Sequence, residues 1–456
     1  MPLVSLNPAT DEVLREYPEL SEAELDAAVR GAAAAFRVWR GRPFAERARA
    51  LLAVKEALLA RREELARLMA LEMGKPLAQG RAELDKCAAG CEFYAAQAEA
   101  FLRPEPAPTE AAKSYVAFEP LGPVLAIMPW NFPFWQVFRF AAPALMAGNA
   151  ALLKHASNVS GCALAIESLF REAGLPEGLF RSLLISSGRV AGLIARPEIR
   201  AVTLTGSGRA GAEVAAQAGR FLKKTVLELG GSDPYLVLAD ADLELAARVS
   251  AQSRLINAGQ SCIAAKRFIV VEEVRRDFEQ LFVAAMREAV VGDPLLETTQ
   301  VGPLARRDLR DELQRQVEAS LAKGARLLLG GTIPGGPGAF YPPTVLSQVG
   351  PGMAAFDEET FGPVAAIVPA RDEEEAIELA NATSFGLGSC VFTQDLARGE
   401  RIARERLEAG SCFVNALVKS DNRLPFGGVK ASGYGRELSA FGIREFVNVK
   451  TVYVMS

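Results

Sequence analysis

Short apolar runs alternate with longer segments of helical pattern from Pro123 onward, and this alternation constrains the fold more than any other feature. Strands that are buried on both faces lack regular polar positions, and they occur in parallel sheets covered by helices. Four such runs precede Gly231 and three follow it: residues 124–128, 151–154, 183–185, 201–205, 235–238, 267–271 and 363–368. The sequence therefore predicts an α/β protein with two strand and helix series and a boundary near Gly230.

The composition excludes several classes of protein. With 456 residues, 50% of them hydrophobic and 23% charged, the chain can form two or three globular domains. Its net charge of −4 and the lack of a basic stripe argue against a nucleic-acid partner. The single histidine, His155, excludes a histidine metal cluster, and no Cys-x-x-Cys pair is present. The first residues lack a basic region followed by an apolar run, no stretch of eighteen uncharged apolar residues occurs, and the six cysteines are scattered; we therefore expect a reducing, cytoplasmic compartment.

Cys262, at the end of a Gly-Gln-Ser-Cys run, is the candidate nucleophile. A thiolate attacks an electrophilic carbon far better than a hydroxyl group does, and small neighbours with a helix start expected nearby favour reactivity. The alternative is a buried structural thiol. Glu228, in the run Leu-Glu-Leu-Gly-Gly, is the candidate base, because a carboxylate in a partly dry cleft can accept a proton from water near neutral pH. Together the two side chains would form a thioester and hydrolyse it.

Gly206 opens a glycine-rich run, Gly-Ser-Gly-Arg-Ala-Gly, between a predicted strand and a predicted helix. Backbone N–H groups at such a helix start can hold the phosphates of a dinucleotide. The spacing would then assign Glu228 to a ribose hydroxyl group, which competes with its role as a base. Alternatively, the glycines only permit a tight turn.

Two further strand ends carry polar side chains. Asn131 lies in a loop of aromatic residues and prolines, where an amide N–H can stabilise an oxyanion. Trp130 and Trp135 can exclude water from that cleft. The alternative role for Asn131 is a helix cap. Lys154 and Ser157 follow the next strand, where they can bind nucleotide hydroxyl or phosphate groups; alternatively, Ser157 caps a helix.

Taken in order, these motifs resemble those of the aldehyde dehydrogenase superfamily along nearly the whole chain. The matching segments are residues 204–207, 227–231, 259–262, 358–363, 425–430 and 435–437. The resemblance implies a Rossmann-type cofactor domain, an α/β catalytic domain and a small β oligomerisation element. It also implies that Cys262 attacks the aldehyde while Asn131 and the Cys262 N–H hold the oxyanion. Glu228 would then activate water, with a proton relay through Glu437, so its assignment to ribose is abandoned.

The resemblance further implies NAD or NADP as the cofactor, with no metal required. The residues expected to contact the cofactor are Pro129, Trp130, Lys154, Ser157, Gly206, Ser207, Leu229, Glu359 and Phe361. Ser157 stands where strongly NAD-selective members often carry a glutamate that binds the adenosine ribose. Loss of that carboxylate removes repulsion against a 2′-phosphate, so the sequence leaves the choice of cofactor open.

Within the superfamily, the chain looks most like short bacterial succinate semialdehyde dehydrogenases, on the strength of residues 128–139, 152–158, 227–234 and 432–446. The substrate of such an enzyme carries a carboxylate, which arginine can bind bidentately. The expected substrate contacts are therefore Arg139, Arg254, Trp135 and Ser420. For each arginine, the alternative is a structural salt bridge.

The expected reaction is NAD(P)-dependent oxidation of succinate semialdehyde to succinate, with water as the acyl acceptor. One alternative is another aldehyde, either uncharged or carrying an amino group. A second is coenzyme A or phosphate as the acceptor, which the presence of Glu228 disfavours. A third, from a different class, is an idle nucleotide-binding scaffold or sensor.

The resemblance also divides the chain into three parts. Residues 1–101 and 119–229 are expected to form the NAD(P)-binding domain, and residues 230–424 the catalytic domain. Residues 102–118 and 440–456 are expected to contribute oligomerisation strands. We expect a homodimer or homotetramer that acts on a small aldehyde, without a nucleic-acid or membrane partner.

Overall fold

The computed structural model describes residues 2–455. Its α-helices are α1 (Glu22–Trp39), α2 (Phe44–Ala60), α3 (Arg62–Met73), α4 (Leu77–Phe101), α5 (Trp135–Met146), α6 (Ser160–Glu172), α7 (Val190–Ala195), α8 (Gly208–Arg220), α9 (Leu243–Leu255), α10 (Glu272–Arg287), α11 (Arg307–Ala322), α12 (Ala354–Asp357), α13 (Glu373–Asn381), α14 (Leu396–Arg401) and α15 (Ser439–Arg444). Within the same range, each helix is too short or too polar to cross a bilayer.

The β-strands are β1 (Leu3–Leu6), β2 (Val13–Tyr17), β3 (Glu105–Pro106), β4 (Lys113–Pro120), β5 (Pro123–Met128), β6 (Ala150–His155), β7 (Phe180–Ser182), β8 (Ala201–Thr205), β9 (Lys224–Glu228), β10 (Pro234–Val237), β11 (Arg267–Val271), β12 (Arg326–Leu329), β13 (Thr344–Ser347), β14 (Val364–Ala370), β15 (Gly388–Phe392), β16 (Ser411–Val414), β17 (Gly433–Tyr434) and β18 (Val447–Val454). They alternate with helices through most of the chain, which confirms the predicted α/β class.

The first large sheet has the strand order β17-β9-β8-β5-β6-β7. Strands β5 to β9 run parallel, while β17 returns from far along the chain and pairs antiparallel with β9, placing Gly433 opposite Glu228. The strand predicted at 183–185 is wrong, because β7 ends at Ser182. Leu184 follows it and instead accepts a backbone hydrogen bond from Leu20, at 2.9 Å.

The second large sheet has the order β12-β13-β14-β11-β10-β15-β16, and only the pair β12 and β13 is antiparallel. The runs predicted at 235–238, 267–271 and 363–368 form β10, β11 and β14, with shifts of one or two residues at some ends. Separate clusters of buried apolar side chains lie on the two faces of this sheet. Cover on both faces explains why these strands lack polar alternation.

A third, smaller sheet has the order β18-β4-β3 and is antiparallel. Most side chains of β18 are exposed or half-buried, and Val449 and Val454 are 62% and 46% exposed. Apolar side chains on a sheet that the chain itself leaves uncovered are typical of a surface that meets another protein.

The two large sheets bring opposite strand ends together. Pro129, Gly206 and Leu229 directly follow the carboxyl ends of β5, β8 and β9. Cys262 lies shortly before the amino end of β11, and Phe361 shortly before that of β14. In open α/β sheets the carboxyl ends of parallel strands are where ligands bind. The motifs from the two sheet regions are therefore placed at one common site.

Candidate active site

A cavity of about 370 Å³ opens where these strand ends meet. Nine residues predicted to act in catalysis or cofactor binding line it, namely Pro129, Trp130, Asn131, Gly206, Ser207, Leu229, Cys262, Glu359 and Phe361. The sequence analysis missed five other lining residues: Gln136, Thr205, Gly230, Arg306 and Leu309. Thr205 and Gly230 directly adjoin predicted motifs. Arg306 and Leu309 come from the start of α11, and no local sequence signal identifies them.

Hydrogen bonds at both the oxygen and the nitrogen fix the side-chain amide of Asn131. Its Oδ1 accepts a hydrogen bond from Gln136 Nε2 at 3.0 Å, and its Nδ2 donates to the carbonyl oxygen of Gln260 at 3.0 Å. An amide nitrogen carries two hydrogens, so one remains available to a ligand. Asn131 does not cap a helix, since α5 begins at Trp135 without a side-chain cap. The amide shares the cavity wall with Cys262, where an oxyanion donor is needed.

A buried ion pair between Lys75 and Glu83 holds the backbone around Asn131. Lys75 Nζ donates to the carbonyl oxygen of Asn131 at 2.9 Å. Glu83 Oε1 accepts from the backbone N–H groups of Phe134 and Trp135 at 2.8 and 3.0 Å. This carboxylate therefore satisfies free donors at the positive end of α5. The pair fixes both the candidate oxyanion donor, Asn131, and the helix that follows it.

Cys262 lies in a turn before β11, so the expected helix start at this position is wrong. Residues 257–259, which follow α9, have positive φ angles of 53°, 54° and 76° and cannot continue a helix. Non-glycine residues in this region each cost on the order of 1–3 kcal/mol. Asn257 is retained there by its side chain, whose Nδ2 donates to the carbonyl oxygen of Asn131 at 2.7 Å.

Lys266, which is fully buried, holds the same turn. Its Nζ donates at 3.1, 2.8 and 3.1 Å to three backbone carbonyl oxygens, those of Ser261, Cys262 and Ala264. The same ammonium group lies 3.6 Å from Glu359 Oε1. Lys266 therefore connects the turn of the candidate nucleophile to a predicted cofactor contact.

The thiol of Cys262 is half-buried on the cavity wall. Burial raises its pKa to about 12, although the charges of Arg139 and Lys266 act in the opposite direction. A thiol with so high a pKa is protonated at neutral pH, and only the thiolate is strongly nucleophilic. In the free protein at neutral pH, the candidate nucleophile is therefore in its weakly nucleophilic thiol form.

Glu228 ends β9 and is buried. Neither of its carboxyl oxygens has a hydrogen-bond partner within residues 2–455. Burial raises its pKa well above the usual range and the charge of Glu437 raises it further, while Arg139 and Arg436 oppose the shift. A buried carboxyl group without a protein partner is available to bind water. Although Glu228 is not among the cavity-lining residues, its charge acts on the Cys262 thiol.

Glu437 forms a buried ion pair with Arg139 on α5. Arg139 Nη2 also donates to Thr205 Oγ1 at 3.3 Å, and the guanidinium group lies 4.8 Å from the centre of the Phe426 ring. The first candidate for the substrate carboxylate therefore already has an internal partner. A role for Arg139 in substrate binding stays a prediction.

The other predicted substrate residues also lie away from the cavity wall. Arg254 is fully buried and donates to the carbonyl oxygen of Gly259 at 2.6 Å, and burial lowers its pKa to about 9. It therefore supports the turn before Cys262. Trp135 and Ser420 both contact Lys86. None of the four predicted substrate residues lines the cavity described above.

The start of α8 offers backbone donors to an anionic ligand. Ser207 caps this helix by accepting a hydrogen bond from the Ala210 N–H at 3.4 Å. Gly206 and Ser207 line the cavity, so the positive end of a 13-residue helix faces it. Across the cavity, Phe361 meets Trp130 edge to face at 5.8 Å between ring centres. A helix start opposite aromatic walls fits a dinucleotide.

Lys154 and Ser157 lie at the end of β6 and just after it. The ammonium group of Lys154 is half-buried, and burial lowers its pKa. Ser157 is exposed and begins a short 3₁₀ turn, but its side chain caps no helix. The predicted alternative of a capping serine is therefore not what the structure shows.

We expect Lys75→Met to destabilise the protein strongly, because it leaves Glu83 buried without its charge partner. Loss of one partner of a buried pair costs about 3–5 kcal/mol, which thermal unfolding would register as a lower Tm. The double variant Lys75→Met/Glu83→Gln, which retains an acceptor for α5, should recover much of the lost stability. Equal loss in both variants would contradict this account.

The raised pKa of Cys262 predicts how its alkylation depends on pH. In the cofactor-free protein, the iodoacetamide rate at Cys262 should rise about tenfold per pH unit from pH 7 to 9, since thiolate is the reacting form. Peptide mass spectrometry would follow the site, with Cys262→Ala as the blank and Cys412→Ala as the control for the other half-buried thiol. An alkylation rate that stops rising below pH 9 would contradict the raised pKa, because it would show that the thiol is already ionised there.

Comparison with known proteins identifies the family. Residues 2–452 match the model of the aldehyde dehydrogenase family. Succinate semialdehyde dehydrogenase [NAD(P)+] Sad of Escherichia coli (strain K12) is 51% identical over 99% of this chain and 97% of its own length. A probable succinate-semialdehyde dehydrogenase [NADP(+)] of Synechocystis sp. is 50% identical over all of both chains.

A solved structure agrees with this result. The succinic semialdehyde dehydrogenase from Streptococcus pyogenes, in complex with NADP+, superposes with a TM-score of 0.97 at 37% identity and covers all of both chains. Fold, motif order and full-length identity thus agree, and the resemblance seen in the sequence is confirmed. The chain belongs to the aldehyde dehydrogenase family.

Proposed function

We propose that this protein catalyses NAD(P)-dependent oxidation of succinate semialdehyde to succinate. The observation that carries the proposal is the identity of about half of all residues, over the full chain, with relatives that bear this name. The geometry of the cavity supports the chemistry, because it brings together a thiol, an amide donor and a nearby buried carboxyl group.

In the first step, Cys262 Sγ bonds to the aldehyde carbon, and the carbonyl oxygen becomes an oxyanion. The free N–H of the Asn131 amide and the backbone N–H of Cys262 donate hydrogen bonds to that oxyanion. Because the pKa of the thiol is high, its proton must leave as the bond forms; solvent accepts this proton, which leaves Glu228 free to act in the later hydrolysis. The product of this step is a thiohemiacetal on Cys262.

Gly206 and Ser207 would hold the cofactor's pyrophosphate, Lys154 its adenosine ribose, and Glu359 with Phe361 its nicotinamide end. When bound, the dinucleotide supplies the acceptor for the hydride that leaves the substrate carbon. Glu359 Oε1 is fixed for this role by the Gly231 N–H at 3.0 Å. Position 157 bears no carboxylate to repel a 2′-phosphate, which supports use of NADP as well as NAD.

Loss of the hydride leaves a thioester on Cys262, which water must hydrolyse. Glu228 takes a proton from that water, the resulting hydroxide adds to the acyl carbon, and the Cys262 thiolate leaves as the acid is released. Glu437 would pass the proton onward, with Arg139 keeping its carboxylate in place. The raised pKa of Glu228 places its charged, active form toward higher pH.

The same proposal assigns roles to the three parts of the chain. Residues 1–101 and 119–229 would bind the cofactor, and residues 230–424 would carry the nucleophile. Residues 102–118 and 440–456 would join subunits into a homodimer or homotetramer. The uncovered apolar side chains of β18 support self-association.

Initial rates with NAD and NADP test the substrate assignment. We expect kcat/KM for succinate semialdehyde to exceed that for butanal, an uncharged aldehyde of equal chain length, by about tenfold or more. Cys262→Ala should abolish turnover of both aldehydes while leaving the protein folded. A preference for butanal would rule out succinate semialdehyde as the assigned substrate. The absence of turnover with both aldehydes would favour a nucleotide-binding scaffold.

Glu228→Gln tests hydrolysis separately from oxidation. Loss of a general base typically costs about 10²- to 10⁴-fold, so we expect kcat to fall by that factor while acyl-enzyme accumulates. Mass spectrometry of the quenched protein should detect the acyl group on Cys262. Glu213→Gln, on the exposed face of α8, serves as the control. Slow turnover without any acyl-enzyme would place the role of Glu228 before the thioester.

A further inference from the structure

Lys86, on helix α4, brings an ammonium group to two side chains predicted to bind substrate. Its Nζ donates to Ser420 Oγ at 2.7 Å and lies 4.3 Å from the centre of the Trp135 ring. Trp135 directly precedes Gln136, which lines the catalytic cavity on the same helix, α5. Helix α5 thus links the set of Lys86, Trp135 and Ser420, here called the Lys86 cluster, to the wall of the catalytic cavity.

The charge of Lys86 is not balanced by an ion pair within residues 2–455. The two nearby acids have other partners, since Glu83 pairs with Lys75 and Asp421 pairs with Arg423 at 2.6 Å. Burial, together with the positive charge of Arg139, lowers the pKa of Lys86 to about 8. A half-buried cation under repulsion from a second cation gains most from a bound anion.

Neither of the two arginines proposed from the sequence is a half-buried cation without an ion-pair partner. Arg139 is paired with Glu437, and Arg254 is fully buried against the carbonyl oxygen of Gly259. An anion bound to Arg139 would compete with Glu437, and Arg254 has no exposed surface at which an anion could bind. At Lys86 the existing partner is the neutral hydroxyl group of Ser420, which can serve the same anion.

We propose that Lys86 Nζ and Ser420 Oγ bind the carboxylate of an ω-oxo acid substrate, so that Lys86 determines specificity for acidic aldehydes. The inference rests on the proposed oxidation of succinate semialdehyde and names the group that recognises it. Lys86 Nζ has two further N–H donors besides the one given to Ser420, and the Ser420 hydroxyl hydrogen is also available. The flat face of Trp135 beside the ammonium group limits where the anion can lie.

Lys86→Met tests this inference with charged and uncharged substrates. We expect kcat/KM for succinate semialdehyde to fall about 10- to 100-fold, mainly through KM, because a charge-assisted hydrogen bond is lost. The value for butanal should stay the same or rise. Ser420→Ala should shift selectivity in the same direction by a smaller factor, and it keeps the test valid if Lys86→Met folds poorly.

Lys55→Met is the matched control, since Lys55 is also half-buried and pairs at 3.2 Å with Glu92 of α4, the helix that carries Lys86. The Lys55→Met variant should not change kcat/KM for either aldehyde. Arg139→Gln should lower kcat for both aldehydes, because Arg139 holds Glu437. As a readout without turnover, succinate should protect Cys262 from alkylation in the wild type, and about tenfold more succinate should be needed in Lys86→Met.

The outcomes separate the two proposals. If the wild type fails to oxidise succinate semialdehyde, the proposed function fails regardless of Lys86. If the wild type oxidises it but Lys86→Met and Ser420→Ala leave the ratio to butanal unchanged, the Lys86 proposal is overturned and the function stands. A selective loss with Arg139→Gln alone would assign the carboxylate to that arginine.

Discussion

The carbonyl oxygen of Asn131 accepts hydrogen bonds from Lys75 Nζ and Asn257 Nδ2, and the two walls of the active site meet at this atom. Asn257 belongs to the nucleophile turn, whereas Asn131 follows a strand of the first large sheet. Because these groups are buried, breaking either bond leaves an unsatisfied polar group, which costs about 1–3 kcal/mol. The distance between the proposed nucleophile, Cys262, and the proposed oxyanion donor, Asn131, is therefore fixed by folding. The amide and the thiol are in position before any substrate arrives.

The burial that preserves this geometry also determines the protonation states of the side chains in the site. Burial raises the pKa of both Cys262 and Glu228, so these two proposed catalytic groups rest in neutral forms. Positive charge remains close by, on Lys266 behind the turn and on Arg139 beside Glu437. These cations stabilise negative charge when it develops on sulfur or oxygen. The site thus combines an unreactive resting state with an environment that favours the charged states of catalysis.

Residues that act through a local pattern were accessible from the sequence. Cys262 and Gly206 lie in short runs at strand ends, and their placement on one cavity follows from the α/β topology. Pairings across long distances were not accessible, because a sequence shows charges without showing which ones neutralise each other. Lys75 and Asn131 are 56 residues apart, and the partner of Arg139 comes from the far C-terminal region. The same limit hid Lys86, whose significance depends on which nearby charges are already paired.

The short strand β17 pairs with β9 at the residue that carries the candidate base, Glu228. Only glycine fits at position 433, because a Cβ there would collide with the carbonyl oxygen of Leu227. The edge that supports the base thus comes from more than 200 residues further along the chain. During synthesis on the ribosome, Cys262 emerges long before that edge exists. A nascent chain would therefore carry its proposed nucleophile without the completed surroundings of its proposed base, and the proposed hydrolysis would have to wait until β17 has been synthesised.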